Sequence, residues 1–420
     1  MQYLQNLRRS SESADGPSEN NTSIHVANNR RCRAMSRTLI EDGAVWQTDR
    51  FITGHTLIVS DGRVKQLMPA EDVAVQPGDR RLAADGRFIM PGFVDLHCHG
   101  SDGFDVMDAS AAALQGLCDF VARQGVTSFL GTTMADSRQR IDAALDALRD
   151  FVNRPQSPLI GVHLEGPYLN AAFRGSQPAQ HLRAPQPEEY MPWLDSGLIK
   201  LLTLAPELDG GGELIRAAIE RGITVSQGHS GASYEDTREF IAAGLRQVTH
   251  TFNGMAGIHH RQPGSFVAAS EHPAVNMEII PDGVHVHPAV IRLLLRLVGA
   301  ERVLAITDAM RAAGLADGEF GMGDVAVVVQ DGIARDRFGS LAGSTLTMSQ
   351  ALRNLMRFCD LSLAEALPML TRAPARAIGM YPRKGSLHAG ADADIVIWDE
   401  QKGVQATLIG GEPVYLAPSQ

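Results

Sequence analysis

Residues 88–100 read FIMPGFVDLHCHG, an apolar run that ends in two histidines separated by one residue. Similar runs recur along the chain and alternate with longer amphipathic stretches, which is the pattern of repeated β-α units around a parallel sheet. Eight such runs occur, at residues 88–97, 126–132, 159–165, 200–205, 223–229, 247–250, 275–280 and 303–307. Helices are predicted between them, including 109–124, 141–151, 212–221, 234–243 and 288–298. We therefore predict an α/β fold in which eight strands close into a (β/α)8 barrel.

Short strands separated by turns flank this barrel pattern on both sides. Residues 44–46, 56–59 and 64–67 have strand composition, and a hairpin turn lies at 60–63. Strand composition returns at 393–398 and 406–409. We predict that the two ends pair into one small β-domain, residues 37–88 together with 381–420, with the barrel domain at 89–380 between them.

The first 36 residues have a different composition, because they are polar, rich in Ser, Asn and Arg, and poor in large apolar side chains. This composition predicts a disordered tail. It contains no apolar segment of the kind found in a secretory signal. We expect the tail to be dispensable, and Met35 is a candidate start because structured patterning begins just after it.

Composition limits the classes of partner. The formal net charge of −10 argues against nucleic acid as the main partner, and no run approaches the roughly 18 apolar residues of a membrane helix. The cysteines, Cys32, Cys98, Cys118 and Cys359, lack CxxC spacing and predict neither a disulfide framework nor a zinc ribbon. A cytoplasmic location is expected.

Histidine and carboxylate residues concentrate where the predicted strands end. In a barrel of this type the catalytic groups gather at the carboxyl ends of the strands. The residues in question are His97 and His99 after the first run, Glu165 at the third, His229 at the fifth, His250 at the sixth and Asp308 at the eighth. A single histidine at a strand end is usually structural, but five such ends around one barrel mouth indicate a catalytic site.

Imidazole and carboxylate ligands suit a divalent metal, zinc or iron(II), in an open site that activates water. Glu165, His229 and His250 can supply one three-ligand centre. His97 and His99 project to the same side of their strand, so they can join in binding one ion or hold a second. Asp308 would accept a proton from water and deliver it to the departing nitrogen.

Several longer motifs carry a family resemblance across residues 37–418: PGFVDLHCHG, HLEGPYLN, GHS, THTFNGM with HHRQPG, PDGVHVHP, TDAM and LAGSTLTM. With them the chain resembles the N-acetylglucosamine-6-phosphate deacetylases of the amidohydrolase superfamily. The resemblance implies a distorted TIM-like barrel with a β-sandwich from both chain ends, which acts on a sugar phosphate. It implies that Glu165, His229 and His250 are metal ligands and Asp308 the acid/base. The substrate contacts it implies are Asn253, Gly254, Arg261 and His285.

Arg261 is the candidate for the phosphate, because an arginine forms charge-assisted hydrogen bonds with phosphate oxygens. Family members in which residues equivalent to His285 reach a neighbouring subunit's pocket are dimers. The resemblance therefore implies a homodimer.

Two positions depart from the family pattern. Twelve residues after Glu165 the family usually carries a histidine that polarises the acetyl carbonyl, and here the residue is Gln177. Gln177 is itself a candidate substrate contact, because a glutamine can donate a hydrogen bond, but it cannot become cationic, and His181 is a candidate substitute. We expect Gln177→His to be tolerated. The NGM at residues 253–255 resembles the N-acetylgalactosamine-6-phosphate branch, so both sugars remain candidates.

Two other functions compete with this interpretation. One is a different amidohydrolase chemistry, on a cyclic amide or another N-acyl compound. Cyclic-amide hydrolases commonly use a carboxylated lysine at the end of strand four, whereas Lys200 stands at the beginning of the fourth run. The second is a non-catalytic barrel that serves as a scaffold, which would need neither the ligand set nor Asp308.

Overall fold

The structure is a computed structural model that describes residues 37–152 and 154–418. The predicted disordered tail, residues 1–36, and the proposed start at Met35 lie outside the described residues. Among the described residues, no helix combines the length and the apolar character needed to cross a membrane.

Seven strands precede the barrel: β1 Thr38–Glu41, β2 Ala44–Gln47, β3 Arg50–Ile52, β4 His55–Ser60, β5 Arg63–Pro69, β6 Arg80–Ala83 and β7 Phe88–Pro91. The barrel segment then contributes β8 Phe93–Cys98, β9 Gly100–Ser101, β10 Phe104–Asp105, β11 Val126–Thr133, β12 Leu159–Glu165, β13 Ile199–Leu204, β14 Thr224–Gln227, β15 Gln247–Val248, β16 Asn276–Ile279 and β17 Val303–Ala305. The last strands are β18 Gly318–Met322, β19 Val325–Gln330, β20 Ile333–Asp336, β21 Ile395–Asp399, β22 Gly403–Ile409 and β23 Glu412–Leu416.

The predicted barrel is confirmed. Strands β8 and β11–β17 form one parallel sheet in the order β17-β16-β15-β14-β13-β12-β11-β8. The two end strands meet at the rim, where Asp308 N donates to His97 O at 2.8 Å and His99 N donates to Ala309 O at 2.9 Å. Every residue of β8 and β11 is buried, as expected of parallel strands covered by helices.

The first apolar run is two strands rather than one. Residues 88–91 form β7, which pairs antiparallel with β21 outside the barrel, and the barrel strand begins at Phe93. The chain changes sheet at Gly92, where a Cβ would come within 2.1 Å of Thr127 Oγ1, so the close approach requires glycine. The prediction of a single strand over 88–97 was therefore wrong at this point.

Helices alternate with the barrel strands and include the five that were predicted. Their bounds are α1 Ala111–Arg123, α2 Arg138–Val152, α3 Pro187–Asp195, α4 Gly211–Glu220, α5 Tyr234–Ala243, α6 Gly264–Glu271, α7 Pro288–Val298, α8 Met348–Cys359, α9 Leu363–Ala366 and α10 Arg372–Ala377. Helix α2 shows how they cover the barrel, because it buries Ile141, Leu145 and Leu148 along one face at helical spacing.

Both chain ends contribute to the sheets outside the barrel. One sheet has six strands in the order β23-β22-β21-β7-β2-β3, so it joins strands from before and after the barrel. A second sheet has four strands in the order β5-β4-β1-β6. The pairing of the two ends follows the prediction, while the domain boundaries at 88 and 381 stay predictions.

A three-stranded antiparallel sheet, β18-β19-β20, follows the last barrel strand and was not predicted. It precedes α8, and Met322 at the end of β18 reaches the wall of the cavity in the barrel mouth. This small sheet therefore contributes to the surroundings of the candidate site.

A buried lysine pairs with two aspartates in the segment between α10 and β21. Lys384 Nζ lies 2.5 Å from Asp394 Oδ2 and 3.0 Å from Asp392 Oδ2, and the lysine side chain is only 10% exposed. Burial raises the pKa of Asp394 against the opposing effect of Lys384. Removal of the ammonium group would leave two neighbouring carboxylates in a poorly hydrated position.

We predict that Lys384→Met destabilises the fold by about 3–5 kcal/mol, the range found when one partner of a buried ion pair is removed. The midpoint of urea unfolding measures the effect. Arg149→Met is the matched control, because its partner Asp146 is 70% exposed and an exposed pair contributes at most about 1 kcal/mol. Equal midpoints for the two variants would contradict the prediction.

Candidate active site

Six titratable side chains converge at the mouth of the barrel. His97 and His99 lie at the end of β8 and Glu165 ends β12. The others, His229, His250 and Asp308, stand just beyond β14, β15 and β17. All six are buried, and all except His97 line a cavity of about 230 Å³.

The Glu165 carboxylate lies between two pairs of imidazoles. Its Oε1 is 3.2 Å from His229 Nε2 and 3.3 Å from His250 Nε2. On the other side, Oε2 is 3.3 Å from His99 Nε2, and Oε1 is 3.5 Å from His97 Nε2. Glu165 therefore belongs to two groups of three ligand atoms, one with His229 and His250 and one with His97 and His99.

Asp308 faces the second of these groups. Its Oδ1 lies 3.3 Å from His99 Nε2 and 3.4 Å from His97 Nε2. The Asp308 side chain is 11% exposed, compared with 2% for Glu165. The aspartate is thus the carboxylate of the site that can reach both the ligand groups and a molecule in the cavity.

The electrostatics of the site favour bound positive charge. Burial lowers the pKa of His99, but hydrogen bonds with Asp308 and Glu165 outweigh it and raise the pKa to about 9. Burial likewise opposes charge on His97, yet the Asp308 and Glu165 carboxylates raise its pKa well above the usual range. Burial raises the pKa of Glu165, and the surrounding histidines lower it well below its usual range. The carboxylates therefore require neighbouring cations, either protons on the imidazoles or a metal ion.

The distances fit a metal. Tetrahedral coordination with bonds of about 2.0–2.1 Å sets neighbouring donor atoms roughly 3.3 Å apart. The donor atoms of Glu165, His229 and His250 are 3.0–3.3 Å apart. Imidazole and carboxylate donors are the set that zinc and iron(II) accept.

Acceptors behind the imidazoles fix their orientation. His229 Nδ1 lies 3.0 Å from Phe173 O and His99 Nδ1 lies 3.2 Å from Thr132 O, and a carbonyl only accepts, so both Nδ1 atoms carry the proton. In the neutral ring each Nε2 is thereby left without a proton, as a ligand atom requires. His97 Nδ1 contacts a carboxylate instead, Glu278 Oε2 at 3.3 Å.

Sequence reasoning missed these three acceptors. Two are backbone carbonyls, which every residue type carries, so a sequence cannot show that they act as acceptors. Glu278 did leave a signal, because it is a charged residue between the apolar Met277 and Ile279 of β16.

Three of the candidate residues have strained backbone. His229, His250 and Asp308 have φ values of 48°, 28° and 47°, in the left-handed region that favours glycine. Conformations of this kind cost on the order of 1–3 kcal/mol each and cluster at functional sites. Each residue lies two or three positions beyond the end of a barrel strand, where the left-handed turn directs its side chain into the mouth.

Gln177 contacts a candidate ligand directly. Its Nε2 donates to Glu165 Oε2 at 2.7 Å, and its Oε1 accepts from Ala135 N at 3.0 Å. The glutamine is buried and lines the cavity. It therefore holds the Glu165 carboxylate in place from the side opposite His229 and His250.

His181, the candidate substitute for the family histidine, lies elsewhere. Its Nε2 is 3.1 Å from Asp324 Oδ2 and 3.5 Å from Asp136 Oδ1, in an ion-pair group that also includes Arg140. His181 is not among the residues that line the cavity.

Four of the five predicted substrate contacts line the cavity, namely Gln177, Asn253, Gly254 and His285. Gly254 has φ of 60°, and a Cβ there would lie 2.9 Å from His229 Nδ1, so glycine is required beside this histidine. His285 Nδ1 lies 2.6 Å from Asp282 Oδ2. Because His285 lines the cavity of its own chain, it provides no argument for a dimer.

Arg261 is the substrate candidate that the structure does not bring to the cavity. It is exposed, and its Nη1 lies 2.6 Å from His260 Nε2. Within the described residues no carboxylate pairs with this guanidinium.

Comparison with known proteins agrees with the geometry. The sequence profile of the amidohydrolase family matches residues 88–414. An N-acetylglucosamine-6-phosphate deacetylase from Vibrio furnissii is 38% identical over 334 residues, 78% of this chain and 83% of the relative. An N-acetylgalactosamine-6-phosphate deacetylase from Escherichia coli O157:H7 is 34% identical over 380 residues, 90% of this chain and 97% of the relative.

Solved structures of N-acetylglucosamine-6-phosphate deacetylases are also similar to this chain. A variant of the N-acetyl-D-glucosamine-6-phosphate deacetylase from Mycobacterium smegmatis, in complex with N-acetyl-D-glucosamine-6-phosphate, superposes with a TM-score of 0.82 and 32% identity, covering 90% of this chain and 99% of that one. The N-acetylglucosamine-6-phosphate deacetylase from Pasteurella multocida has a TM-score of 0.86 at 28% identity, with the same coverage.

We predict that Gln177→Ala weakens metal binding roughly 10- to 100-fold, the usual effect of losing a hydrogen bond to a ligand side chain. Gln177→His should stay within a few-fold of the parent chain, because an imidazole N–H can donate to the same oxygen. Competition with a chromogenic chelator measures the affinity. His181→Ala is the control outside the cavity, and an effect of that change equal to Gln177→Ala would contradict the role given to Gln177.

Proposed function

We propose that this chain, which belongs to the amidohydrolase family and within it to the N-acetylglucosamine- and N-acetylgalactosamine-6-phosphate deacetylases, removes the acetyl group from an N-acetyl amino sugar 6-phosphate. The products are acetate and the amino sugar 6-phosphate. The observation that carries the proposal is the convergence of Asp308 with the imidazoles of His97 and His99, 3.3–3.4 Å from its Oδ1, at the end of the cavity.

Glu165, His229 and His250 would hold one divalent cation, zinc or iron(II), and His97 and His99 with Glu165 would hold a second. A cation bound there supplies Lewis acidity, which polarises the amide carbonyl and lowers the pKa of water. Gln177 keeps the Glu165 carboxylate in position for this role through its 2.7 Å hydrogen bond.

Asp308 performs the proton transfers. Burial opposes its ionisation, but His97 and His99 hold its pKa well below the usual range, so the carboxylate is ionised and can accept a proton from the attacking water. After water adds to the carbonyl carbon, the protonated Asp308 delivers that proton to the nitrogen as the C–N bond breaks. The amine leaves neutral, and the acyl group leaves as acetic acid, which releases the second proton of the water to solvent and becomes acetate.

Arg261 is proposed to bind the phosphate, because its guanidinium has no carboxylate partner among the described residues and because of the sequence resemblance. Its exposed position outside the cavity of one chain is compatible with a site completed by a second copy. A homodimer is also supported by α7, where Leu293 and Leu297 lie on one helix face and are 46% and 53% exposed.

Lys200 argues against a cyclic-amide hydrolase that uses a carboxylated lysine. It lies near the start of β13, at the end opposite the barrel mouth, and its Nζ is 3.4 Å from Gly197 O. A non-catalytic scaffold would have no use for strained residues that direct ligands into a cavity. Cytoplasmic location is proposed because Cys98, Cys118 and Cys359 are free thiols.

The first test measures acetate release from the 6-phosphates of N-acetylglucosamine and N-acetylgalactosamine by metal-quantified protein. We expect turnover of at least one epimer, and Asp308→Asn should lower kcat about 10²- to 10⁴-fold because the general acid/base is lost. The circular dichroism spectrum and the metal content of Asp308→Asn should match those of the parent chain. Full activity of Asp308→Asn would refute the role of the aspartate, and failure to release acetate from both epimers would refute the substrate class.

A second test concerns the phosphate. Loss of a hydrogen bond to a charged group costs about 1.5–3 kcal/mol, so Arg261→Ala should lower kcat/KM for the phosphorylated sugar roughly 10- to 150-fold. The same change should leave the unphosphorylated sugar unaffected. Arg216→Ala, at a 67% exposed arginine on α4, is the matched control. An equal loss on both sugars would show that Arg261 does not contact the phosphate.

A further inference from the structure

Glu278 is a fully buried carboxylate behind the candidate site. It lies in β16 between Met277 and Ile279, two apolar residues that are also fully buried. A carboxylate in such surroundings is strongly destabilised unless donors satisfy it. Its place in the barrel wall therefore calls for a specific set of partners.

Three donors meet this carboxylate. Glu278 Oε2 lies 3.3 Å from His97 Nδ1 and accepts from His250 N at 3.2 Å. Its Oε1 accepts from Gln247 Nε2 at 2.6 Å. One side chain thus contacts the imidazole of His97, in one ligand group, and the backbone of His250, in the other.

The contact with His97 has a consequence for the tautomer. An ionised carboxylate only accepts, so His97 Nδ1 carries the proton and Nε2 is left unprotonated when the ring is neutral. That Nε2 is the atom that faces Glu165 Oε1 and Asp308 Oδ1. Among the described residues, His99 and His229 have neutral carbonyls at Nδ1, and His250 Nδ1 has no partner.

In the part of the chain that the structure describes, no other group contacts His97 Nδ1. The neighbouring His163 ring packs edge-on at 4.5 Å, and its own Nε2 is engaged by Thr203 Oγ1 at 2.7 Å. Asp95 contacts the backbone N of His97, not its ring. Glu278 is therefore the group on which the orientation of His97 depends.

We propose that Glu278 is the positioning residue that makes His97 a ligand, and that it thereby enables the group of His97, His99 and Glu165 to bind a cation beside the one held by Glu165, His229 and His250. The inference rests on the proposed metal-dependent function and deepens it. Glu278 acts through His97 and does not contact the substrate.

The test is a titration of metal-free protein with Co(II), followed by its absorption spectrum and by elemental analysis after gel filtration. We expect the parent chain to bind two ions. Glu278→Gln keeps the size of the side chain but places an amide opposite His97 Nδ1, so one ion should bind roughly 10- to 100-fold more weakly while the other is retained. His97→Asn should have the same effect, and the double variant should be no worse than either single change, because both act on one ligand.

Gln247→Leu provides the control for a purely structural role. It removes the donor to Glu278 Oε1 but leaves the contact with His97, so it should lower the melting temperature and keep two ions. If Glu278→Gln lowers the melting temperature as Gln247→Leu does and still binds two ions, the proposal is overturned.

A parent chain that binds one ion would also overturn the proposal. That outcome would leave the proposed deacetylation open to its own test, since acetate release is measured separately. If the parent chain binds two ions but releases no acetate, the proposed substrate class fails, whereas the role of Glu278 is still decided by the number of ions that Glu278→Gln binds.

Discussion

The site depends on the attraction between one shared carboxylate and the imidazoles around it. Glu165 contacts His229 and His250 through one oxygen and His99 through the other, in a space almost closed to solvent. In such surroundings charges are weakly screened. The imidazole nitrogens can lie this close together only because the carboxylates between them attract them. The strand ends, the left-handed turns and the glycine at 254 all serve to bring these groups to one point.

Much of the fold and of the candidate site could be predicted because both follow from strand periodicity. The eight apolar runs identified the barrel strands, and the residue types at their ends identified Glu165, His229, His250 and Asp308 as a group. Contacts that depend on three-dimensional packing were beyond the sequence. The acceptors Phe173 O and Thr132 O belong to the backbone, and the direction in which Arg261 points depends on the loop that carries it.

Two errors have identifiable causes. The run at 88–97 is apolar throughout, so nothing in its hydropathy marks the change of sheet, although the Pro91-Gly92 pair is a recognised break in strands. The sheet β18-β19-β20 was missed although Asp331-Gly332 lies at the turn between its last two strands, a dipeptide typical of hairpins. Once eight runs had been assigned to a barrel, the later strands had no place in that topology.

The six-stranded sheet has a consequence for biosynthesis. Its central pair, β7 and β21, is formed by segments that lie on either side of the whole barrel in the chain. During translation, β7 lacks this partner until the barrel and β21 have been synthesised. Pairings between such distant segments form slowly. The exposed edge of β7 is then open to association with other nascent chains, which makes the final residues a determinant of yield as well as of stability.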